Sequence, residues 1–135
     1  MSIKILITDP LSDKGIEYLK KSGLEVIYLP NSSIDEMQIY LADISGWIIR
    51  SGTKISNQNI CDAKKLQIIG RAGVGTDNID INSATKNGII VMNVPDGNTI
   101  SAAEHTIAMM MSLSRNIHLG HISLISGKWD RNKLV

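Results

Sequence analysis

Residues 3–30 read IKILITDPLSDKGIEYLKKSGLEVIYLP, and this stretch decides the fold class. Its first six residues, Ile3 to Thr8, are rich in β-branched side chains and predict a strand. Residues 11–22 carry apolar side chains at helical spacing, and Gly23 stands where a helix C-cap is expected. Leu24 to Leu29 predicts a second strand. The stretch therefore reads as a strand–helix–strand unit.

The same alternation continues to about residue 94. Ser33, with Glu36 three residues later, has the pattern of a capping box and predicts the start of a helix. The remaining predicted elements are strands at Trp47–Ile49, Leu66–Gly70 and Ile89–Val94 and a short helix at Ser56–Ala63. Apolar strands separated by helices are typical of a parallel sheet covered on both faces. We therefore predict an α/β fold with an open doubly wound parallel sheet of the flavodoxin-like type, which binds ligands at the carboxyl ends of its strands.

The last third of the chain has a different pattern. Residues 98–126 are helical in their spacing, and Gly120 is the one position where a break is expected. Asn98 or Thr99 can cap this long helix, and Ser101-x-x-Glu104 forms a second capping-box pattern. Because its apolar positions cover more than one stripe, the helix is expected to pack on two surfaces.

Composition excludes several classes of protein. The 135 residues carry 14 Lys and Arg against 13 Asp and Glu, a net charge of +1. This balance argues against binding to nucleic acid or to a membrane surface through bulk charge. No apolar run approaches the ~20 residues of a membrane span. The first predicted strand begins so early that no signal peptide is expected. The lone cysteine, Cys61, cannot form an internal disulfide, and we expect it to be a buried thiol in a cytoplasmic protein.

A glycine-rich segment follows the fourth predicted strand. Gly73-x-Gly75 begins a dinucleotide-binding fingerprint, but Asn78 stands where the third glycine should be. Backbone N–H groups of such a loop can converge on a carboxylate, and Arg71 adds positive charge. The segment is therefore interpreted either as an anion-binding loop or as a turn that needs left-handed backbone angles.

Two arginines end predicted strands. Arg50 and Arg71 each lie at the carboxyl end of a strand, where an open α/β sheet binds its ligands. Together they could hold a doubly charged anion. The alternative is a structural role, in which each arginine caps a helix or pairs with Asp9 or Asp77.

The histidines and methionines carry weaker signals. His105 follows Glu104 directly, so the two side chains point about 100° apart on a helix and do not form an acid–base pair. His118 and His121 have metal-ligand spacing but no evident third ligand, so we predict solvated histidines and no metal site. The run Met109-Met110-Met111 is interpreted as core packing.

Several ordered motifs resemble one family. They are RSGT at 50–53, GRAGVGTDNID at 70–80, VMNVP at 91–95, AEHT at 103–106, SRNI at 114–117 and GKWDR at 127–131. These motifs resemble the NAD-dependent D-2-hydroxyacid dehydrogenases, and among them the group that oxidises 3-phospho-D-glycerate. The resemblance implies a substrate-binding domain at residues 1–97 and a crossover helix with its hinge at residues 98–135.

The resemblance also implies roles for individual residues. Contacts to a small anionic 2-hydroxyacid are implied for Arg50, Ser51, Arg71, Gly73, Val74 and Gly75. Val74, Asn98 and Thr106 are expected to border the nicotinamide end of NAD, and Lys128, Arg131 and Lys133 match a basic tail that reaches a neighbouring subunit. The nucleotide-binding domain and the catalytic Arg, Glu and His of the family would follow residue 135. We therefore expect no catalytic residue in this chain, an inactive fragment, and a homodimer formed through the helix at 98–126.

Three other functions are considered for a chain with this pattern. A phosphoacceptor receiver domain of the same architecture needs an aspartate after its third strand, where this chain has Arg50-Ser51. A non-enzymatic, corepressor-like relative that uses the fold to bind protein remains compatible with the sequence, although it leaves the arginines without a purpose. A dehydrogenase for another D-2-hydroxyacid is the third alternative.

Overall fold

The computed structural model describes residues 2–134, with every side chain in that range except that of Ile34. It divides the chain into two compact units, Met1–Gly97 and Asn98–Val135.

The first unit is built on one sheet of five strands. They are β1 Lys4–Ile7, β2 Glu25–Tyr28, β3 Gly46–Ile49, β4 Ile68–Arg71 and β5 Ile90–Met92. All pairings are parallel and the strand order is β2-β1-β3-β4-β5. This order is that of the flavodoxin-like doubly wound sheet. The predicted fold class is confirmed.

Four helices connect these strands. They are α1 Asp13–Lys21, α2 Ile34–Leu41, α3 Asn57–Asp62 and α4 Ile81–Lys86. The capping box predicted at Ser33 is present, since Ser33 Oγ accepts from the Glu36 N–H while the Glu36 carboxylate accepts from the Ser33 N–H. Gly23 ends α1 with a φ of 80°, a conformation that favours glycine. The sequence analysis missed α4, because a helix of six residues is too short to show a periodic apolar pattern.

The core lies on both faces of this sheet. On one face α2, α3 and α4 bury Met37, Leu41, Ile60 and Ala84 against a fully buried Trp47. The other face carries a smaller cluster, in which Ile5 and Ile7 pack against Ile16 of α1. The carboxyl ends of the strands, which the doubly wound topology reserves for ligands, are therefore held by a well-packed base.

The second unit contains two helices rather than one. They are α5 Thr99–Ser114 and α6 Ile117–Ile125, followed by a 3₁₀ turn at Arg131–Lys133. The break was expected at Gly120, and this is wrong, because Gly120 lies inside α6. The chain instead breaks at Asn116, which adopts a left-handed conformation with a φ of 51°. Asparagine tolerates this conformation better than other residues with a side chain.

The start of α5 also differs from the expectation. Asn98 occupies the N-cap position, but its side chain makes no capping hydrogen bond. Ser101 lies within the helix, so the second predicted capping box does not form. Neither helix buries a residue, and Met109, Met110 and Met111 are all exposed. The interpretation of the methionines as core packing is therefore wrong, because nothing in this unit is large enough to cover them.

Two expectations from the composition concern membrane-spanning helices and the lone cysteine. Within residues 2–134, no helix has both the length and the apolar character that a membrane crossing requires. Cys61 is exposed, so the expectation of a buried thiol is wrong. The adjacent Ile60 is the residue of α3 that enters the core, and on a helix the next side chain points about 100° away.

Candidate anion-binding site

The site lies at the carboxyl edge of the sheet. Three loops meet there: the end of β1 with Asp9, residues 50–53 after β3 (the 50–53 loop), and residues 71–78 after β4. The topology brings these loops together because β1, β3 and β4 are adjacent and parallel. The two arginines of the sequence analysis, Arg50 and Arg71, stand at the start of the second and third loops.

Asp9 holds the 50–53 loop from below. Its side chain is almost fully buried, and Oδ2 accepts hydrogen bonds from the backbone N–H of Arg50 at 2.6 Å and of Thr53 at 3.1 Å. A Cβ on Gly52 would overlap Asp9 Oδ1, which explains the glycine at that position. The carboxylate takes the place of a bound anion for these two N–H groups, so it stabilises the loop rather than binding a ligand.

A buried polar network supports the same loop. Trp47 Nε1 donates to Thr8 Oγ1 at 3.0 Å, and Thr53 Oγ1 lies 2.9 Å from the same oxygen. All three residues are buried, so these hydrogen bonds satisfy groups that would otherwise be costly to desolvate. The network connects the loop to the largest side chain of the core.

Arg71 is the most enclosed cation of the site. Its side chain is 11% exposed, and Nε donates to Asn78 Oδ1 at 3.2 Å. The carboxylate of Asp77 lies 4.0 Å from Nη2, but Asp77 is 88% exposed, so this ion pair is weak. A guanidinium carries five N–H donors. Within residues 2–134 only the Nε donor is used in a hydrogen bond.

The glycine-rich loop lies against this guanidinium. A Cβ on Gly73 would come within 2.8 Å of Arg71 Nη1, and a Cβ on Gly75 within 3.5 Å of the same atom. The loop is tied to β5, because the Val94 N–H donates to the Gly73 carbonyl at 3.0 Å and Asn93 Nδ2 donates to the Val74 carbonyl at 2.7 Å. The two glycines therefore allow a cation and a backbone loop to approach closely, which is the arrangement an anion-binding loop needs.

Arg50 and Ser51 are exposed on the rim of the same edge. The structural alternative paired Arg50 with Asp9. Asp9 does bind Arg50, but through its backbone N–H, and the Arg50 guanidinium makes no hydrogen bond or ion pair within the part of the chain that the structure describes. The side chain of Arg50 is thus available to a ligand.

Two residues of this edge were missed as site residues by the sequence analysis. Asp9 was considered only as a pairing partner, and Asn78 only as a departure from the dinucleotide fingerprint. Asn78 Nδ2 donates to the carbonyls of Arg50 and Thr53, both at 2.6 Å. The asparagine at the position of the expected glycine was a signal that Asn78 has a role of its own. The sequence alone does not show which groups its side chain contacts.

The glycine-rich segment is not followed directly by a helix N-terminus, as a dinucleotide-binding loop is. The next helix, α4, begins only at Ile81, and its N-cap is Asp80, whose carboxylate accepts from the Ser83 N–H at 2.9 Å. An acidic N-cap on a short helix opposes phosphate binding there. The rejection of the dinucleotide fingerprint is consistent with this geometry.

Two cavities border the site in the first unit. A groove of about 330 Å³ runs past Arg71 and Asn93 and is otherwise mainly apolar, with Leu11, Ile48 and Met92 in its walls. A second cavity of about 340 Å³ is lined by Gly52 and Thr53 of the 50–53 loop and by Asp9, and its walls are more polar than those of the groove.

The second unit holds the remaining candidate residues. The Thr106 hydroxyl donates to the Ala102 carbonyl at 2.8 Å. The side-chain amide of Asn98, at the N-cap of α5, makes no capping hydrogen bond. Near the chain end, Asp130 accepts from Ser123 at 3.1 Å and from Lys133 at 3.0 Å, and these bonds lower the pKa of its carboxyl group.

The histidines do not assemble into a metal centre. His105, His118 and His121 are exposed on α5 and α6. Among the described residues, no group of three His, Cys, Asp or Glu side chains could hold a metal ion.

A parallel doubly wound sheet with two arginines and a glycine-rich loop at its carboxyl edge is typical of α/β domains that bind ligands at that edge. The chain belongs to a family that this description fits: the model of the D-isomer specific 2-hydroxyacid dehydrogenase catalytic domain matches residues 5–124. The predicted family is confirmed.

Relatives and solved structures agree with this assignment. A D-3-phosphoglycerate dehydrogenase of Archaeoglobus fulgidus is 46% identical over 133 residues, which is 98% of this chain and 25% of the relative. A protein of Thermus thermophilus of known structure superposes with a TM-score of 0.87 at 25% identity, over 98% of this chain and 44% of its own. The NAD⁺-bound 3-phosphoglycerate dehydrogenase of Entamoeba histolytica gives a TM-score of 0.72 at 34% identity, over 83% of this chain and 39% of its own. The chain thus spans about a quarter of the length of the curated relatives it matches.

Proposed function

We propose that this chain is the substrate-binding part of an NAD-dependent dehydrogenase that oxidises 3-phospho-D-glycerate to 3-phosphohydroxypyruvate. Family membership and the phosphoglycerate dehydrogenases among the relatives support the reaction class. The observation that carries the proposal is the enclosed Arg71 guanidinium, which lies against the glycine-rich loop and keeps four of its five donors without a hydrogen bond in the described range.

The substrate has two anionic groups, a carboxylate and a phosphate. In this proposal the N–H groups of Val74 and Gly75 together with the Arg71 guanidinium bind the carboxylate, while the Gly73 N–H donates to the Arg71 carbonyl at 2.8 Å and so shapes the loop. Arg50 and Ser51, on the exposed rim of the site, bind the phosphate of the same substrate.

The residues that would border NAD have suitable chemistry. Val74 exposes an apolar side chain whose loop is held by Asn93, and Asn98 offers an amide that no cap uses. Thr106 already donates to the Ala102 carbonyl, so it would act only as an acceptor. When bound, NAD would accept a hydride from the substrate carbon. The chain's own contribution would be to hold the substrate and to supply these side chains to the cofactor.

A titration tests the binding proposal directly. The amide signals of Gly73 to Gly75 should shift on addition of 3-phosphoglycerate at millimolar concentration, and sulfate should cause a weaker shift. Arg71→Ala should weaken binding by roughly 10- to 100-fold, as expected for a lost hydrogen bond to a charged group. Lys86→Ala, which removes a cation from the distant end of α4, is the matched control. Equal affinities of the two variants would refute the role of Arg71.

We propose further that residues 1–135 alone do not catalyse the oxidation of 3-phosphoglycerate. The family resemblance assigns the proton-transferring His–Glu pair and the NAD loop to a separate domain, and general acid–base catalysis needs such a group within reach of the substrate hydroxyl. Purified chain, mixed with NAD and 3-phosphoglycerate, should produce no NADH. Turnover that persists through repeated purification would contradict this.

Homodimer formation through α5 and α6 is also part of the proposal. These helices expose a large set of apolar side chains, and extensive exposed apolar surface is uncommon on monomers. The set includes Ile100, Ile107, Met110, Met111, Leu113, Ile117, Ile122 and Ile125. Burying it between two copies would remove it from water in a cytoplasmic protein.

Light scattering can test this dimer. The 14.8 kDa chain should elute with twice its monomer mass. Ile107→Glu should convert it to a monomer, whereas Ile39→Glu, at an even more exposed isoleucine in the first unit, should not. A monomeric wild type at high micromolar concentration would overturn the proposal.

A further inference from the structure

The side chain of Asn78 connects the two arginine-bearing loops. Its amide nitrogen donates to the carbonyl oxygens of Arg50 and Thr53, each at 2.6 Å, and its amide oxygen accepts from Arg71 Nε at 3.2 Å. A side-chain amide has two N–H donors and one carbonyl oxygen. All of these groups are used here, on two different loops.

The orientation of this amide follows from its partners. In the opposite orientation the amide oxygen would face two carbonyl oxygens, and the NH₂ group would face the Arg71 N–H donor. Aspartate could accept from Arg71 but could not donate to either carbonyl, and serine has only one donor. Asparagine is thus the side chain whose size and chemistry fit all three contacts.

The 50–53 loop is held by complementary groups on its two sides. Asp9 accepts from the N–H groups of Arg50 and Thr53, while Asn78 donates to the carbonyl oxygens of the same two residues. Four backbone groups of one short loop are therefore satisfied by two side chains. A loop held in this way has little freedom to move its first residue, Arg50.

The backbone of Asn78 is itself anchored. Its carbonyl accepts from the Ile55 N–H at 2.8 Å, and the Asp80 N–H donates to the Ile55 carbonyl at 3.0 Å. These bonds form the bridge between Ile55 and Ile79, and both of those side chains are buried. The amide of Asn78 therefore projects from a rigid base toward Arg50 and Arg71.

We infer that Asn78 is a positioning residue, which couples the 50–53 loop to the Arg71 guanidinium and so sets the spacing of the two cations that receive the substrate. The inference rests on the proposed function for its consequence, although the coupling itself can be observed without a ligand. Holding Arg71 through Nε turns its terminal N–H groups toward the glycine-rich loop. A site organised in advance loses less conformational freedom when the anion binds.

Two variants separate the two halves of the amide. Asn78→Asp retains an acceptor for Arg71 Nε but loses both donors to the 50–53 loop. Asn78→Ala loses all three contacts. Asn87→Ala is the matched control, because Asn87 makes one side-chain bond, to the Ser83 carbonyl, at the surface end of α4.

The first readout needs no ligand. In the wild-type chain the Arg71 Nε–H signal should be visible by NMR and protected from exchange with water, and the Thr53 amide should be protected as well. Asn78→Ala should expose both, whereas Asn78→Asp should expose only the Thr53 amide. If both variants keep both protections, or if neither variant folds while Asn87→Ala does, Asn78 is a general stability residue and the inference is wrong.

The second readout is anion affinity, measured with inorganic phosphate and with 3-phosphoglycerate. Asn78→Ala should bind 3-phosphoglycerate about tenfold more weakly than the wild type, the scale of a lost hydrogen bond. Inorganic phosphate, which cannot span both arginines, should lose less. Equal losses for the two anions would contradict a role in setting the spacing. A wild type that binds neither anion would refute the proposed function instead, and the protection experiment would then judge the coupling alone.

Discussion

The two units of this chain use similar apolar residues in opposite ways. Residues 2–97 bury them: Trp47, Leu6 and Ile69 are fully enclosed between sheet and helices. Residues 98–134 expose theirs, and no residue of α5 or α6 is buried. The difference arises because a sheet offers a broad surface that helices can cover, while two short helices cannot bury side chains that point to all sides. The first unit therefore has an apolar core of its own, whereas the second leaves its large apolar side chains exposed.

The largest effect that distinguishes the units should come from their apolar side chains. Leu6→Ala leaves a cavity in the core and should lower the free energy of unfolding by about 2–5 kcal/mol. Ile107→Ala removes an exposed side chain of the second unit and, at concentrations where the chain is monomeric, should change the free energy of unfolding by less than about 0.5 kcal/mol. Urea unfolding followed by Trp47 fluorescence, in a Trp129→Phe background, measures both. A large loss for Ile107→Ala would mean that the second unit stabilises the first.

A smaller effect is expected at the edge of the sheet. Asp9→Ala leaves the buried N–H groups of Arg50 and Thr53 without their charged acceptor, which should cost roughly 1.5–3 kcal/mol. Asp9→Asn retains an oxygen that can accept and should cost less. The same urea titration applies, and equal midpoints for Asp9→Ala and the wild type would contradict the part assigned to this carboxylate.

The helix starts give a third comparison. Ser33 makes both bonds of a capping box, so Ser33→Ala should destabilise the first unit by about 0.5–2 kcal/mol. Asn98 stands at the equivalent position of α5 without a capping bond, so Asn98→Ala should have almost no effect on stability. Thermal unfolding by circular dichroism can rank the two. An equal or larger loss for Asn98→Ala would break the comparison.

The sequence predicted the first unit well because its signals are local. Short β-branched runs, the Ser33 capping box and Gly23 each act within a few residues, and they define strands and helices whose order permits little besides a doubly wound sheet. The second unit was predicted less well. A left-handed asparagine at position 116 and a glycine at position 120 are both credible helix breaks, and only packing decides between them.

The candidate site shows the same division. Arg50, Arg71, Gly73 and Gly75 could be selected from the sequence because arginines and glycines after strands are typical of anion-binding loops. Asn78 could not be selected in this way. Its three partners are 7, 25 and 28 residues distant in sequence, so its role exists only after the strands have assembled.

The smallest effect concerns pH, and it compares one carboxylate in each unit. Ser33 lowers the pKa of Glu36 in the first unit, and Lys133 and Ser123 lower the pKa of Asp130 in the second. A carboxyl group with a lower pKa in the folded state stabilises that state above its ordinary pKa, which is 3.8 for Asp130, and the contribution disappears as the pH falls through the lowered value. Glu36 is exposed and the Asp130 side chain is 31% exposed, so solvent screens both carboxylates and the effects on stability should be small.

Trp129 and Trp47 can report these losses separately. Trp129 lies beside Asp130 and is 77% exposed, so acidification below pH 3.8 should change its fluorescence as the turn at 128–134 loosens. Trp47, enclosed in the core, should keep its spectrum over the same range, because Glu36 caps only one helix end and the core around it remains packed. Asp130→Asn should abolish the transition of Trp129 and leave Trp47 unaffected. A simultaneous change of both tryptophans would show that the two units unfold together, and the contrast between them would then fail.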